Sequence, residues 1–349
     1  MEYRPLGRSG IEVSELALGA MMFGSWGTRD RDQARRIVLR AIESGINVID
    51  TADVYSGGES EEIVGSILGD VDRDNLIVAT KFHLPSGADR NSRGNSRRWV
   101  RRACEESLRR LGTDRIDVYQ VHRPDPSCDI DETLGALSDL VREGKVLLIG
   151  TSTFAADQIV EAQWTAERRH RERFMTEQPP YSILSRQIET SVLPACGRYG
   201  LGVITWGPLA GGWLSGRFGS GQQNTSHRAG RVPSRYDLTR AANRAKLAAV
   251  DQLTLIAREA GLTMVELSIA FVLEHPVVSA AIIGPRTEEQ LDSYLAAAGR
   301  RLDTATLDAI DEVVRPGADL EPLDAGWDRS QLAVACRRRA QPVVTGGQR

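Results

Sequence analysis

Four side chains of the kinds that move protons stand at matching places along the chain. Asp50 ends the apolar run INVID (46–50), and Tyr55 follows it among small and polar neighbours. Lys81 comes directly after LIVAT (76–80), and His122 directly after IDVYQV (116–121). A tyrosine with its ordinary pKa of about 10 is a weak proton donor at neutral pH. A nearby ammonium stabilises the phenolate and lowers that pKa, while a carboxylate holds the ammonium in place. A histidine can orient an oxygen by a hydrogen bond or share in the relay. The group therefore predicts a general-acid site, one that protonates an oxygen on which negative charge develops.

Each residue also has a plainer reading. Asp50 could cap the next segment, Lys81 snorkel at the surface, His122 be a satisfied structural residue and Tyr55 pack. Their joint arrival at run ends favours chemistry, and three more residues extend the pattern. Ser152 lies just past VLLIG (146–150), Gln178 ends FMTEQ (174–178) and Trp206 ends LGVITW (201–206). Metal chemistry is disfavoured because the five histidines form no HExxH or other tight ligand cluster. Phosphoryl transfer lacks its GxxxxGK[ST] loop, and a nucleophile elbow is missing as well.

What must position these residues is a repeating scaffold. The apolar runs, with LALGA (16–20) and SAAIIG (279–284), alternate with helix-like stretches such as RDQARRIVLRAIESG and SRRWVRRACEESLRRLG. In the second, Val100, Ala103, Cys104, Ser107, Leu108 and Leu111 recur at helical spacing. Gly45, Gly112 and Gly144 fall where helix C-caps are expected. Eight strands alternating with helices indicate a closed (β/α)8 TIM barrel, whose active site forms where the C-terminal strand ends converge. A doubly wound open sheet is the rival, but no GxGxxG follows the first strand. The opening residues read as a β-hairpin. Residues 207–236, rich in Gly, Ser and Arg, make a long loop after the seventh barrel strand, and such loops are functional lids or disordered. The domain boundaries expected are 1–316 for the barrel and 317–349 for a C-terminal extension, partly disordered or docked as a helix.

Bulk properties narrow the classes. A net charge of −3 argues against a nucleic-acid reader. No stretch approaches the roughly 18 apolar residues of a membrane span, and MEYRPLGRSG carries no secretory h-region. Cys104, Cys128, Cys196 and Cys336 are scattered, with no CxxC, as in reduced cytosolic proteins. A soluble cytoplasmic protein without membrane or nucleic-acid partners is the expectation; a homo-oligomer is left open.

Taken together, NVIDTADVYSGGESEEIVG, VATKF, DVYQVHRPD, EQPPYSIL, ITWGPLAGGWLSGRF and IIGPRTEEQL resemble the aldo-keto reductase superfamily, in order from about residue 2 to residue 300. The forms W-x-P-L and GPRTEEQL are most similar to its bacterial and potassium-channel-β-like branches. The resemblance implies a barrel binding extended NADPH and reducing an aldehyde or ketone to an alcohol. It assigns Tyr55 as general acid, Lys81 and Asp50 as its tuning pair, and His122 as the residue orienting the carbonyl. It implies that Ser152 and Gln178 hold the nicotinamide carboxamide, that Thr153 meets the nicotinamide or the pyrophosphate, and that Trp206 lies against the ring. Gly207, Pro208, Leu209 and Gly211 would line the pyrophosphate path, with Arg217 near the phosphates. Gly284, Arg286 and Gln290 match the adenosine end, where the Arg286 guanidinium suits a 2′-phosphate and so NADPH over NADH.

Three departures from the family pattern stand out. Thr153 replaces a common Asn or Arg, Tyr294 a common Asn, and Ser56 a common glycine. Two rival functions go with the resemblance: a redox-sensing NADPH-binding subunit of slow turnover, and a sugar-nucleotide ketoreductase. The second would use the Arg-rich segments 90–102 and 167–173 for a diphosphate, although solvated helix faces are the simpler reading. Trp26 is a candidate wall for the substrate, whose identity the loops decide.

Overall fold

The computed structural model describes residues 1–219 and 227–326. Residues 220–226 of the long loop, and the tail from 327 with Cys336 and Arg337 to Arg339, lie outside the described residues.

The first two strands, β1 (Tyr3–Pro5) and β2 (Glu12–Ser14), pair antiparallel as a hairpin. Eight parallel strands follow: β3 (Leu16–Gly19), β4 (Val48–Asp50), β5 (Ile77–Phe82), β6 (Ile116–Val121), β7 (Val146–Ser152), β8 (Thr176–Gln178), β9 (Gly202–Thr205) and β10 (Val278–Ile283). They close in sequence order, β10 pairing with both β9 and β3. This is the (β/α)8 barrel expected from the alternation, and the open sheet is ruled out by its closure.

The helices between strands bury one face each. Among them are α1 (Arg31–Glu43), α2 (Glu59–Leu68), α3 (Arg97–Leu111), α4 (Ile130–Arg142), α5 (Ala156–Arg169) and α6 (Val192–Tyr199). After β9 come α7 (His227–Arg231), α8 (Ala241–Glu259) and α9 (Met264–Glu274); α10 (Glu288–Leu295) and α11 (Thr304–Val313) follow β10. In α3 the six residues expected to face inward are all buried, and Trp99 joins them. Gly45, Gly112 and Gly144 each take a positive φ just past a helix, a conformation in which a Cβ would be strained.

Two hydrophobic layers result. The outer one fills the space between helices and sheet, and the inner one sits inside the barrel. Ala17, Val48, Ala79, Val118, Ile204 and Ala280 meet there with Leu6 and Val13 from the hairpin. The hairpin thus plugs the end where the strands begin, and the other end is left for polar residues. In α3 and its neighbours, Arg97 pairs with Asp139, Arg101 with Glu143, Arg102 with Glu106 and Arg171 with Asp131. Ion pairing on helix faces accounts for those arginines of the two Arg-rich segments.

The described parts of the long loop are organised. Trp213, Phe218 and Tyr236 stack in a group, and the Tyr236 hydroxyl donates to the Gly211 carbonyl at 2.6 Å. The start of the extension docks too. Arg186 N donates to Ala318 O, Leu320 N to Leu184 O, and Arg240 pairs with Glu321 and Lys246 with Asp324. No described helix is long and apolar enough to cross a membrane.

Candidate active site

Side chains alternate along a strand, so every second residue of each barrel strand points inward. Val48 and Asp50 share that parity, as do Ala79 and Lys81, Val118 and His122, and Ile204 and Trp206. Apolar residues occupy the lower positions, and the polar set occupies the last ones. Asp50 ends β4, Lys81 is the last residue but one of β5, and His122 follows β6 directly. Ser152 and Gln178 end β7 and β8. The barrel brings all of them to one face.

The centre is a buried ion pair. Lys81 Nζ donates to Asp50 Oδ2 at 2.7 Å, to the Thr51 carbonyl at 2.8 Å and to the Tyr55 hydroxyl at 3.3 Å. On its other oxygen Asp50 accepts from Gln178 Nε2 at 2.7 Å and from Gln120 Nε2 at 3.4 Å. Lys81 is fully buried and Asp50 nearly so. Burial pulls the lysine pKa down, but Asp50 and Tyr55 together outweigh it and leave the ammonium raised.

Tyr55 opens a short 3-10 turn (Tyr55–Gly58) above β4. Its ring meets His122 edge-on, with centroids 5.8 Å apart, and Trp26 at 5.9 Å. Ser56 supplies a tether here. Its hydroxyl donates to the Phe23 carbonyl and accepts from Trp26 N–H, so the Tyr55 and Trp26 loops are fastened to each other. The expected lowering of the tyrosine pKa is not what the structure gives. Burial raises it, Asp50 adds to that, and Lys81 opposes without overcoming them. Tyr55 therefore holds its proton at neutral pH, with the ammonium at its hydroxyl.

His122 is buried, its pKa well below the usual range through burial and the nearby charges of Lys81 and Arg123. A neutral imidazole has one N–H to donate, and its buried Nδ1 has no partner among the described residues. The backbone N–H of His122 donates to Phe82 O, which fixes its height on the rim. Under the Tyr55 turn, Glu61 accepts from Thr80 at 2.5 Å and from Arg110 at 2.7 Å. Asp53 lies buried beside them, pushed up to about 8 by burial and by Glu61.

Beyond the tetrad the rim carries further polar groups. Ser152 Oγ donates to Gln178 O at 2.9 Å, and Thr153 takes φ 60°, its N–H on the same carbonyl. Trp206 is half-buried, bridged to Pro180, with Gly326 of the extension close to its ring and to Thr153. Gly207 and Gly212 have positive φ, and a Cβ added there, or at Gly284, would meet nothing within 4 Å. Pro208 is buried, and Leu209 and Gly211 are half-buried between them. Arg217 and Arg286 lie within electrostatic reach of Tyr294. Gln290 turns back to accept from the Arg286 N–H at 2.9 Å. A surface hollow of about 510 Å³ lined by Ala166, His170, Arg171 and Met175 lies where α5 returns to β8, at the opposite end of the barrel.

Two groups of the site escaped the sequence reading. Gln120 shares parity with His122 and is the polar residue among the inward-facing positions of β6, which was signal enough. Arg123 is half-buried, its Nη1 donating to the His122 carbonyl at 2.6 Å. Among the described residues no group of three or more His, Cys, Asp or Glu could hold a metal.

The model of the Aldo/keto reductase family matches residues 15–315. The chain is 38% identical over 335 residues to "Uncharacterized oxidoreductase YrpG" of Bacillus subtilis, covering 93% of this chain and 99% of that one. It is 34% identical over 330 residues to a "Probable voltage-gated potassium channel subunit beta" of Arabidopsis thaliana, covering 90% and 97%. A "Putative aryl-alcohol dehydrogenase C977.14c" of Schizosaccharomyces pombe is 32% identical over 352 residues, covering 90% and 96%. With eight parallel strands closed around Asp50 and Lys81 and a family match over most of its length, this chain belongs to the aldo/keto reductase family of oxidoreductases.

Proposed function

We propose that the protein reduces an aldehyde or ketone to an alcohol with NADPH, Tyr55 serving as the general acid. The observation that carries this reading is the contact of Lys81 Nζ with both Asp50 and the Tyr55 hydroxyl. When bound, the reduced nicotinamide supplies the hydride. Tyr55 gives its phenolic proton to the carbonyl oxygen as charge develops there. Lys81 then faces a phenolate, and Asp50 keeps the ammonium in place. His122, neutral, donates its N–H to the same oxygen and fixes the substrate's approach.

The residues present fit such a dinucleotide. Ser152, Thr153 and Gln178 offer hydroxyl and amide groups for a carboxamide, and Trp206 offers a flat face for the ring. Gly207, Pro208, Leu209 and Gly211 leave open backbone for a pyrophosphate, with Arg217 as a cation beside it. Gly284, Arg286 and Gln290 take the adenosine end, Arg286 binding the 2′-phosphate, with Tyr294 within electrostatic reach of both arginines. The test follows NADPH absorbance over a panel of aldehydes and ketones. Tyr55→Phe should remove turnover, a loss of about 10²- to 10⁴-fold, and leave NADPH binding nearly unchanged. Turnover retained in that variant would remove Tyr55 from the mechanism.

A second reading has its own observation, the likeness to proteins named as channel β subunits. In it the chain binds NADPH tightly and turns over slowly as a redox-sensing subunit. Single-turnover hydride transfer much faster than steady-state turnover, with equally slow nucleotide release, is its signature.

A further inference from the structure

Arg123 stands outside the charge pair at the centre of the site. Asp50 and Lys81 neutralise each other, and His122 and Tyr55 carry none, which leaves the guanidinium of Arg123 with Glu177 acting on it electrostatically but not paired to it. Its Nη1 is held by the site itself, on the His122 carbonyl at 2.6 Å and 3.5 Å from Ser152 Oγ. No ion pair joins it to a carboxylate among the described residues. The carboxylates around it are engaged elsewhere. Glu177 accepts from the Thr151 hydroxyl and Phe154 N–H, and Asp125 from Ser127 and Asn95 N–H. No hydrogen bond on its Nε or Nη2 occurs among the described residues, and neither atom is a sealed, unsatisfied donor. That leaves the side-on pair of N–H groups, Nε and Nη2, without a hydrogen-bond partner among the described residues, one residue from His122.

The position of Arg123 is built, not incidental. Its own carbonyl accepts from Asn95 Nδ2 at 3.2 Å, and Asn95 Oδ1 lies 2.9 Å from His83 Nδ1. Asn95 is buried, and His83 takes φ 132°, a conformation that costs a non-glycine residue energy. The loops after β5 and β6 are therefore fastened together behind this one side chain. A planar guanidinium with two parallel free donors binds carboxylate or phosphate oxygens through bidentate, charge-assisted bonds.

We propose that Arg123 is an anion anchor, and that the carbonyl substrate carries a carboxylate or phosphate group that it binds. This rests on the carbonyl-reduction reading, which the test separates from it. With the full-length protein and NADPH, kcat/KM is measured for 4-carboxybenzaldehyde, 4-formylphenyl phosphate and the neutral methyl 4-formylbenzoate. An anion anchor gives the wild-type protein at least about a tenfold preference for one or both anionic aldehydes over the ester, expressed in KM and weakened by added salt. The preferred one tells carboxylate from phosphate. Arg123→Gln brings the ratio close to one by losing the anionic aldehydes more than the ester, and Arg123→Lys keeps part of the preference.

Equal wild-type use of all three aldehydes overturns the anchor without any variant. So does an equal kcat loss on all three in Arg123→Gln, which would leave only the clamp on the His122 carbonyl. Weakened NADPH binding with unchanged selectivity would assign Arg123 to the nucleotide instead and likewise overturn it. Should no aldehyde be reduced, calorimetric titration with terephthalate and with phenyl phosphate decides. Binding of either to wild type but not to Arg123→Gln keeps the anchor and discards carbonyl reduction; binding of neither discards the anchor.

Discussion

Lys81 and Gln178 divide the carboxylate of Asp50 between them, one oxygen each, both at 2.7 Å. A residue of the proton-donating centre is thereby joined to one that the proposed function places on the nicotinamide carboxamide. An asparagine at position 50 would keep a polar partner for Gln178 but leave the buried ammonium without its counter-charge.

Asp50→Asn should accordingly lower kcat by about 10- to 100-fold and leave NADPH affinity within about threefold. Stopped-flow absorbance with the best aldehyde, alongside a fluorescence titration, checks both halves. A kcat that stays at the wild-type level would mean the pair does not tune Tyr55.

The same pair should show in stability. Lys81→Met strands a buried carboxylate and is expected to cost about 3–5 kcal/mol. Joined with Asp50→Asn, the loss should be smaller than the two single losses added, with a coupling of about 1–3 kcal/mol. Urea unfolding of the four proteins gives the cycle, and strict additivity would refute it.

Stability should also fall as pH rises toward neutral. Asp53 is pushed up to about 8 and Glu177 to about 7, each chiefly by burial. A carboxyl group whose folded pKa is raised binds more protons folded than unfolded. Its contribution is whole below the ordinary carboxylate range and is lost as pH climbs through the folded value. Melting temperature should therefore decline between about pH 5 and pH 8, and Asp53→Asn should flatten part of that decline. A variant with the wild-type slope would show that Asp53 ionises normally.

Cofactor choice has its own test at the far end of the rim. Arg286→Ala should weaken NADPH binding by about tenfold or more and leave NADH nearly untouched, because only the former carries a 2′-phosphate. Equal weakening of both would place Arg286 elsewhere on the nucleotide or in the packing of Tyr294.

Much of this was legible in the residues, for a physical reason. Inward-facing positions alternate, strand ends converge, and chemistry-bearing side chains at the ends of short apolar runs are therefore neighbours. The eight strands lie where the apolar runs predicted them, within a residue or two at each end. Gln120 follows the same rule and could have been found by counting back two from His122. What stayed hidden depends on three-dimensional contact. The direction of the Tyr55 shift is a contest between burial and Lys81 that no spacing reveals. The stacked Trp213, Phe218 and Tyr236 have no period, so the long loop reads as featureless until its ends are brought together. Residues 318–326 grip the barrel through backbone groups and through Glu321 and Asp324, which look in sequence like any solvated acids.

The plug formed by Leu6 and Val13 leaves the barrel a cul-de-sac. Traffic to and from Tyr55 must share the doorway on the opposite side. Two ligands that both reach this depth cannot pass each other, so the one lodged beneath waits for the one above to leave.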